Sequence, residues 1–291
     1  MRIPQGTRVR RGLIAAALLA FALAGCGRSG PASAPGAPRR VVCASPAVAE
    51  IVFALGCGDC VVGVSEFTDF PPEAAAKPSI GGALSPNRER ILALAPDWIL
   101  AQGQATALET FARAQGLGFR TEPLDTLADL RAAIASFAEV LGMPERGREL
   151  LARMDADFAA LPAREPVPVF IALGHVPGDF SGLMTAGPGT FLSELVALAG
   201  GSNVFADVAT LWPKVSQESL VRRQPALVLD FQSAPADAAR RAALVADWEK
   251  RGFRAAQVRT LDEDFLLKPG PRAAQAAARI AAHLIPGGVS P

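Results

Sequence analysis

The 291-residue sequence sets 29 Lys and Arg against 28 Asp and Glu, a formal net charge of +1, and half of its residues are hydrophobic. With the two signs interspersed, this balance excludes a basic nucleic-acid surface or a membrane-binding charge patch, and the length provides for two cores of ordinary size. Tyrosine is absent and histidine occurs only twice, which disfavours metal sites built from tyrosinate or from a histidine cluster.

Arg2, Arg8, Arg10 and Arg11 precede an apolar run from Leu13 to Ala24 that is short for a bilayer span, and Leu23-Ala24-Gly25-Cys26 follows at once. The segment resembles a lipoprotein signal peptide with its lipobox. That likeness implies cleavage before Cys26, lipid on its thiol, and a domain held outside the cytoplasmic membrane. Residues 1–25 are read as the signal peptide, and residues 26–39 as the lipidated cysteine with a Pro-, Gly- and Ser-rich tether. No later apolar run approaches about 18 residues, so the lipid is the only membrane attachment expected.

Past the tether, hydrophobic runs at 40–44, 61–65, 97–101 and 119–122 alternate with helical segments, and the alternation resumes at 167–173, 226–230 and 257–261. This predicts an α/β fold of two doubly wound lobes, each a parallel sheet covered by helices. Ser45-Pro46 and Ser85-Pro86 each place a capping hydroxyl before a proline at a first helical position, while Gly56 and Gly200-Gly201 end two helices. Between the halves, residues 126–163 keep helical spacing at Leu127, Leu130, Ile134, Phe137, Val140 and Leu141, break at 142–144, and resume. The lobes are thus residues 40–125 and 164–291, with a helical bridge between them.

Two echoes run through the chain. Glu89 and Glu218, 129 residues apart (218 − 89), are each followed by an aliphatic residue two places on (Ile91, Leu220), a proline at seven (Pro96, Pro225) and a hydrophobic strand. EIVFALG from Glu50 is repeated as ELVALAG from Glu194, 144 residues later (194 − 50). Two repeats in one order predict two lobes of like topology.

Cys57 and Cys60 form a C-x-x-C that reads as a local disulfide or as two small buried residues, since a zinc site would have only Cys43 and two distant histidines to draw on. Nucleophile-elbow, zinc-protease, phosphate-loop and dinucleotide motifs are all missing, GCGDCV at Gly56 lacking the third glycine, so no catalytic residue is assigned and no enzymatic activity is expected. Ligands of doubly wound sheets sit beyond the carboxyl ends of the strands, which here places the site between the lobes. Phe67, Phe70, Phe180, Trp212, Phe231 and Phe265 recur in the loops expected there, among glycines, amides and few charges, a mixture suited to a large, flat, partly apolar ligand. His175 ends a strand in the same region and is a candidate ligand contact. Paired with Asp179 it would mimic the histidine and carboxylate of a metal chelatase, the enzymatic alternative. His283 lies on the final Ala-rich helix and is assigned a structural role.

The blocks RVVCASPAVAEIVFALG, VVGVSEFTDFPPEA, PNRERILALAPDWILA, LMTAGPGTFLSELVALAGGSNVF, WPKVSQESL and DEDFLLKPGPR follow one another from about Arg40 to Leu284 and resemble the Fe/cobalamin-type periplasmic binding proteins of ABC importers. The resemblance implies two lobes joined by a single long helix, with ligand between them, in a monomer that has no cofactor or metal of its own. It implies that Glu89 and Glu218 dock onto arginines of a permease dimer whose ATPase subunits complete the importer. By likeness to the cobalamin-binding branch, Phe67 falls where an aromatic covers the corrin, Trp212 at another cleft aromatic, and Asp264 and Lys268 at an acidic and a basic cleft position. Two further tryptophans of that branch fall near Ala83 and Gln102, which reduces the aromatic clamp. The expected ligand-binding set is Phe67, Gln102, His175, Phe180, Trp212, Phe231, Asp264 and Lys268. The expected ligand is cobalamin or a related corrinoid, with haem or a ferric siderophore as the alternative. Absent tyrosine counts against haem, and the few arginines, Arg88, Arg90 and Arg272, count against an anionic siderophore.

Overall fold

The computed structural model describes residues 39–285, so the signal-like segment and Cys26 lie outside the described residues. The first half runs β1 (Val41–Cys43), α1 (Pro46–Ala54), β2 (Val61–Val64), α2 (Pro72–Ala75), the antiparallel hairpin β3 (Gly81–Gly82) and β4 (Ser85–Pro86), α3 (Arg88–Ala93), β5 (Trp98–Gln102), α4 (Thr106–Ala114) and β6 (Gly118–Glu122). Helices α5 (Leu127–Val140) and α6 (Pro144–Ala159) lead into the second half. There β7 (Val167–Leu173), α7 (Phe191–Leu198), β8 (Gly201–Asn203), α8 (Gln217–Arg223), β9 (Leu227–Phe231), α9 (Ala238–Lys250), β10 (Val258–Leu261) and α10 (Ala273–His283) follow. All seven hydrophobic runs form strands.

Each half builds its own four-stranded parallel sheet, in the orders β2-β1-β5-β6 and β8-β7-β9-β10. Counted within its own half, each sheet reads 2-1-3-4, so the repeat in the sequence is a repeat of topology. Glu89 and Glu218 sit in the first turns of α3 and α8, each helix leading into the third strand of its sheet. Ile91 and Leu220 are fully buried beneath them. Ala95 and Gln224, each just before a proline, both take left-handed backbone, φ 43° and 47°. Non-glycine residues rarely adopt that conformation, so its recurrence 129 residues on (224 − 95) marks a true duplication.

Strand parity partitions the core. Val41, Cys43, Leu100, Val169, Ile171, Leu229 and Phe231 point to one shared core with α1, α5, α6, α7 and α10, whereas Val42, Ile99 and Ala101 serve a second core and Phe170, Ala172 and Val228 a third. Burial on both faces explains why the strands read as nearly unbroken hydrophobic runs. Each fully buried Leu, Ile or Phe contributes about 1.5–3 kcal/mol. Because the shared core takes side chains from both lobes, wide separation of the lobes would expose several of them.

The bridge implied as one long helix is divided in two. Gly142 (φ 69°) ends α5 and Pro144 opens α6. The helices then run side by side in opposite directions: Arg131 pairs with Asp155 at 2.6 Å, and Gly147 faces Ala138, where a Cβ on the glycine would lie 2.7 Å from that of the alanine. The break at 142–144 is therefore a reversal of the chain.

Ser45 caps α1 by accepting the Val48 amide at 3.2 Å, and Gly56 (φ 83°) and Gly200 (φ 90°) terminate α1 and α7. Ser85-Pro86 behaves otherwise. The hairpin takes these two residues as β4, and Asn87, the next residue, caps α3 by accepting the Arg90 amide at 3.0 Å. Cys57 and Cys60 are disulfide-bonded. Burial pushes the Cys43 thiol up to about 12, which removes it from thiolate chemistry. Among the described residues no helix is long and apolar enough to cross a membrane.

Candidate functional site

Loops beyond the carboxyl ends of β2 and β10 meet across the lobes. Phe67 and Asp69 from the first half and Asp262, Asp264 and Lys268 from the second line a cavity of about 930 Å³. That volume is near the upper end of the roughly 300–1,000 Å³ seen for small-molecule sites, so the cavity fits a large ligand.

Phe67 is the most telling residue here. Its backbone is left-handed (φ 64°) and its side chain is 77 % exposed. Such a conformation costs about 1–3 kcal/mol, and an exposed ring recovers little of that by burial. The surrounding loop holds it in place: the Ser65 amide donates to the Cys43 carbonyl at 3.0 Å, the Glu66 amide to Gly81 at 2.8 Å, and the hydroxyls of Ser65 and Thr68 share a hydrogen bond of 3.2 Å. The fold thus presents an aromatic face to whatever enters the cavity.

Opposite it, Lys268 Nζ donates to Asp69 Oδ1 at 2.7 Å and also pairs with Asp264. Partial burial pulls the ammonium's pKa down, but the two carboxylates more than reverse this and hold it above its ordinary value. Partial burial likewise raises the Asp69 pKa, and the hydrogen bond from Lys268 brings it below the ordinary range. The Lys268–Asp69 pair joins residues 199 positions apart and crosses from one lobe to the other. Asp69 was not singled out in the sequence, where its only signal is a carboxylate set between two loop phenylalanines.

A second cavity of about 560 Å³ lies past the ends of β1 and β5, where the first sheet reverses its strand order. Ser45, Leu84, Arg88, Gln102 and Gln104 line it, with Gln102 exposed. Trp212 lines neither cavity. It is 42 % exposed in a loop pinned by the Thr185 amide to Pro213 at 3.0 Å and the Gly187 amide to Leu211 at 2.7 Å.

Two expected contacts, His175 and Phe231, belong to the interior instead, and a third, Phe180, is half-buried beside them. His175 is buried, with Nδ1 2.6 Å from Asp230 and Nε2 3.0 Å from Asp247. Carboxylates accept and do not donate, so both ring nitrogens serve as donors and none is left for a ligand. Burial lowers the ring's pKa, yet the two carboxylates outweigh it and leave the imidazole raised above its ordinary value. Trp248 Nε1 and Gln232 Nε2 donate to the same Asp230 at 2.7 and 2.8 Å. Phe180, half-buried, packs edge-on against Trp248 with the Arg251 guanidinium 3.3 Å over its ring centroid, and so lies against the core beside His175. Phe231 is buried by strand parity, facing the shared core while Asp230 faces His175. The chelatase-like pair is not formed either, because Asp179 accepts the Ser181 amide at 2.8 Å and His175 is engaged elsewhere.

Glu89 and Glu218 are exposed, the latter paired with Arg222 at 2.7 Å. Three residues further along each helix stands an exposed aliphatic, Leu92 and Val221, again 129 residues apart (221 − 92). Each lobe therefore carries the same small surface, one carboxylate beside one aliphatic side chain at i, i+3 spacing.

Among the described residues no cluster of His, Cys, Asp or Glu is placed to hold a metal ion.

Comparison with known proteins accords with this architecture. The vitamin B12-binding protein of Pectobacterium atrosepticum is 30 % identical over 258 residues, covering 85 % of this chain and 88 % of that protein. The crystal structure of the periplasmic vitamin B12-binding protein of Vibrio cholerae aligns with a TM-score of 0.67 at 27 % identity, over 86 % of this chain and 98 % of that one. The apo periplasmic haem-binding protein of Roseiflexus sp. RS-1 aligns with a TM-score of 0.68 at 26 % identity, over 84 % and 97 %. Residues 41–257 match the family described as periplasmic binding protein. Since that match runs from β1 to the turn before β10 and takes in the first sheet, the helical bridge and three of the four strands of the second sheet, the chain belongs to the periplasmic binding protein family.

Proposed function

We propose that this chain is the capture component of an ABC importer, binding cobalamin or a related corrinoid between its lobes and releasing it unchanged to a permease. The observation that carries this reading is the strained, exposed Phe67 at the wall of the 930 Å³ cavity. A flat macrocycle stacked on that ring offsets the backbone cost, and Lys268 and Asp264 supply a donor and an acceptor for its polar periphery. Gln102 and Trp212 complete the contacts from the second cavity and the 204–216 loop. Likeness to vitamin B12-binding proteins over most of the chain supports the same ligand. Haem is less well served. The chain has no tyrosine, and both nitrogens of His175 are already bonded within the protein.

Delivery uses the duplicated surface. Glu89 with Leu92 and Glu218 with Val221 offer two similar contacts from one monomer to the two halves of a permease dimer, the carboxylates facing arginines. Cys26 carries the lipid that holds the domain at the membrane, with the segment up to residue 39 as its tether, and the chain performs no chemistry on its cargo.

Isothermal titration of the purified protein with cobalamin, haem and a ferric hydroxamate side by side tests the ligand. Saturable submicromolar binding of cobalamin alone is expected. Binding of haem alone would replace the corrinoid reading, and no binding of any of the three would overturn it.

A further inference from the structure

The second sequence echo, Glu50 in α1 and Glu194 in α7, takes no part in the cleft or in the docking surface. Glu50 reaches from the first lobe to the second, and Glu194 from the second lobe to the start of α5, the bridge helix that packs on β6 and α1 of the first. Glu50, only 5 % exposed, receives a bidentate bond from the Arg272 guanidinium, Nε to Oε1 at 3.1 Å and Nη2 to Oε2 at 2.8 Å, and accepts the Arg272 backbone amide at 3.3 Å. Arg272 is the capping residue of α10, the helix that follows the fourth strand of the second lobe. Glu194, in turn, accepts the backbone amide of Leu127 at 2.6 Å, the first residue of α5, which follows the fourth strand of the first lobe.

The two contacts are related by the internal repeat. The glutamates lie 144 residues apart (194 − 50) and their partners 145 (272 − 127). In each case a glutamate on the helix after a lobe's first strand satisfies a free amide at the start of the helix after the other lobe's fourth strand. Those amides have no partner within their own helices, and a carboxylate is favoured at the positive end of a helix dipole.

Each contact is also built in. A Cβ on Gly270 would lie 2.9 Å from Glu50 Oε1, so the glycine leaves room for the carboxylate. The Arg272 guanidinium lies 3.8 Å from the ring centroid of Phe70, from the first lobe, and 5.0 Å from that of Phe265, from the second. On the other side the Phe191 amide, at the start of α7, donates to the Asp125 carbonyl at 2.5 Å.

We propose that Glu50 and Glu194 form a duplicated cross-lobe clamp that sets the angle between the lobes, and hence the width of the cleft presented to ligand. They are positioning residues and touch no ligand. The clamp holds the same angle whichever ligand is carried, so its test needs none.

The test compares the full chain with its Glu50→Gln, Glu194→Gln and Arg272→Met variants by small-angle X-ray scattering and amide hydrogen exchange. Losing one charge-assisted bond at a helix start should raise exchange about tenfold in the segment it caps, residues 270–275 for Glu50→Gln and Arg272→Met, and residues 126–130 for Glu194→Gln, with both sheets unchanged. Scattering from the Glu50→Gln, Glu194→Gln double variant should show a larger radius of gyration. Unchanged scattering would overturn the proposal whatever the exchange shows, and so would exchange raised equally across both sheets, since that pattern reports general destabilisation. Should the variants not fold, the unsubstituted chain decides alone: protected amides at Leu127 and Arg272 support the clamp, and exchange there at the rate of frayed termini refutes it.

Discussion

Replacing His175 with glutamine leaves a buried carboxylate without its cation and tests the electrostatics of the second lobe. The imidazole joins two carboxylates from different elements, Asp230 on β9 and Asp247 on α9, with Arg251 of α9 bonded to Asp247 at 3.3 Å as the other charge nearby. Removing one partner of a buried pair costs about 3–5 kcal/mol. Glutamine keeps one donor toward Asp230, so the lower end applies, about 3 kcal/mol, or roughly 6–12 °C in melting temperature for a chain of this size. The pH dependence gives a second readout. The His175 pKa is raised above its ordinary 6.5, so its stabilising contribution is complete below pH 6.5 and fades as pH climbs through the raised value. Burial raises the Asp247 pKa, but its hydrogen bond with His175 and the nearby Arg251 charge bring it below the ordinary 3.8; its contribution is therefore present above pH 3.8 and lost as pH falls through the lowered value. Thermal unfolding followed by circular dichroism at acidic, neutral and alkaline pH should show the parent chain losing stability above pH 6.5, and the glutamine variant lower throughout without that alkaline decline. A variant that melts with its parent, or that keeps the alkaline slope, would refute the assignment of His175 as a charged core residue.

Phe67→Gly should raise stability by about 1 kcal/mol in urea unfolding, because glycine accepts a positive φ freely, while weakening cobalamin binding in the same preparation; a variant that binds as tightly as its parent would remove Phe67 from the site. Lys268→Met should lower cobalamin affinity about ten- to a hundredfold through loss of one charge-assisted bond, yet change stability by less than about 1 kcal/mol because Asp69 is largely exposed. A large drop in stability with unchanged affinity would reverse those roles. Joint reversal of Glu89 and Glu218 to arginine should abolish uptake into membrane vesicles carrying the permease and leave ligand affinity intact, so uptake at the parental rate would end the docking role.

Which parts of this molecule were legible in advance follows from the range of the forces involved. The strands could be read because residues such as Val41 to Cys43 and Val169 to Ala172 are buried on both faces and leave unbroken hydrophobic runs. By contrast β8, Gly-Ser-Asn, has no such run and exists only because β7 offers it an edge to pair with. Asn87 displaced Ser85 as the cap of α3 because both are adequate capping residues and only the hairpin decides which stays free. The burial of Phe231 and His175 has a related reason: strand ends in such folds often face the ligand, but here parity turns Phe231 into the shared core, and carboxylates 55 and 72 positions away draw in His175.

From residues alone came the duplication and the α/β class, since those depend on local patterning written along the chain and repeated in it; the family came from the resemblance of its successive sequence blocks. Contacts formed between the lobes, or between a lobe and the bridge, had to await the folded molecule: Lys268 with Asp69, Glu50 with Arg272, Glu194 with the start of α5. Each joins groups whose sequence neighbours say nothing about the partner, because a charge or a free amide is satisfied by whatever the packing of distant helices brings within about 3 Å of it.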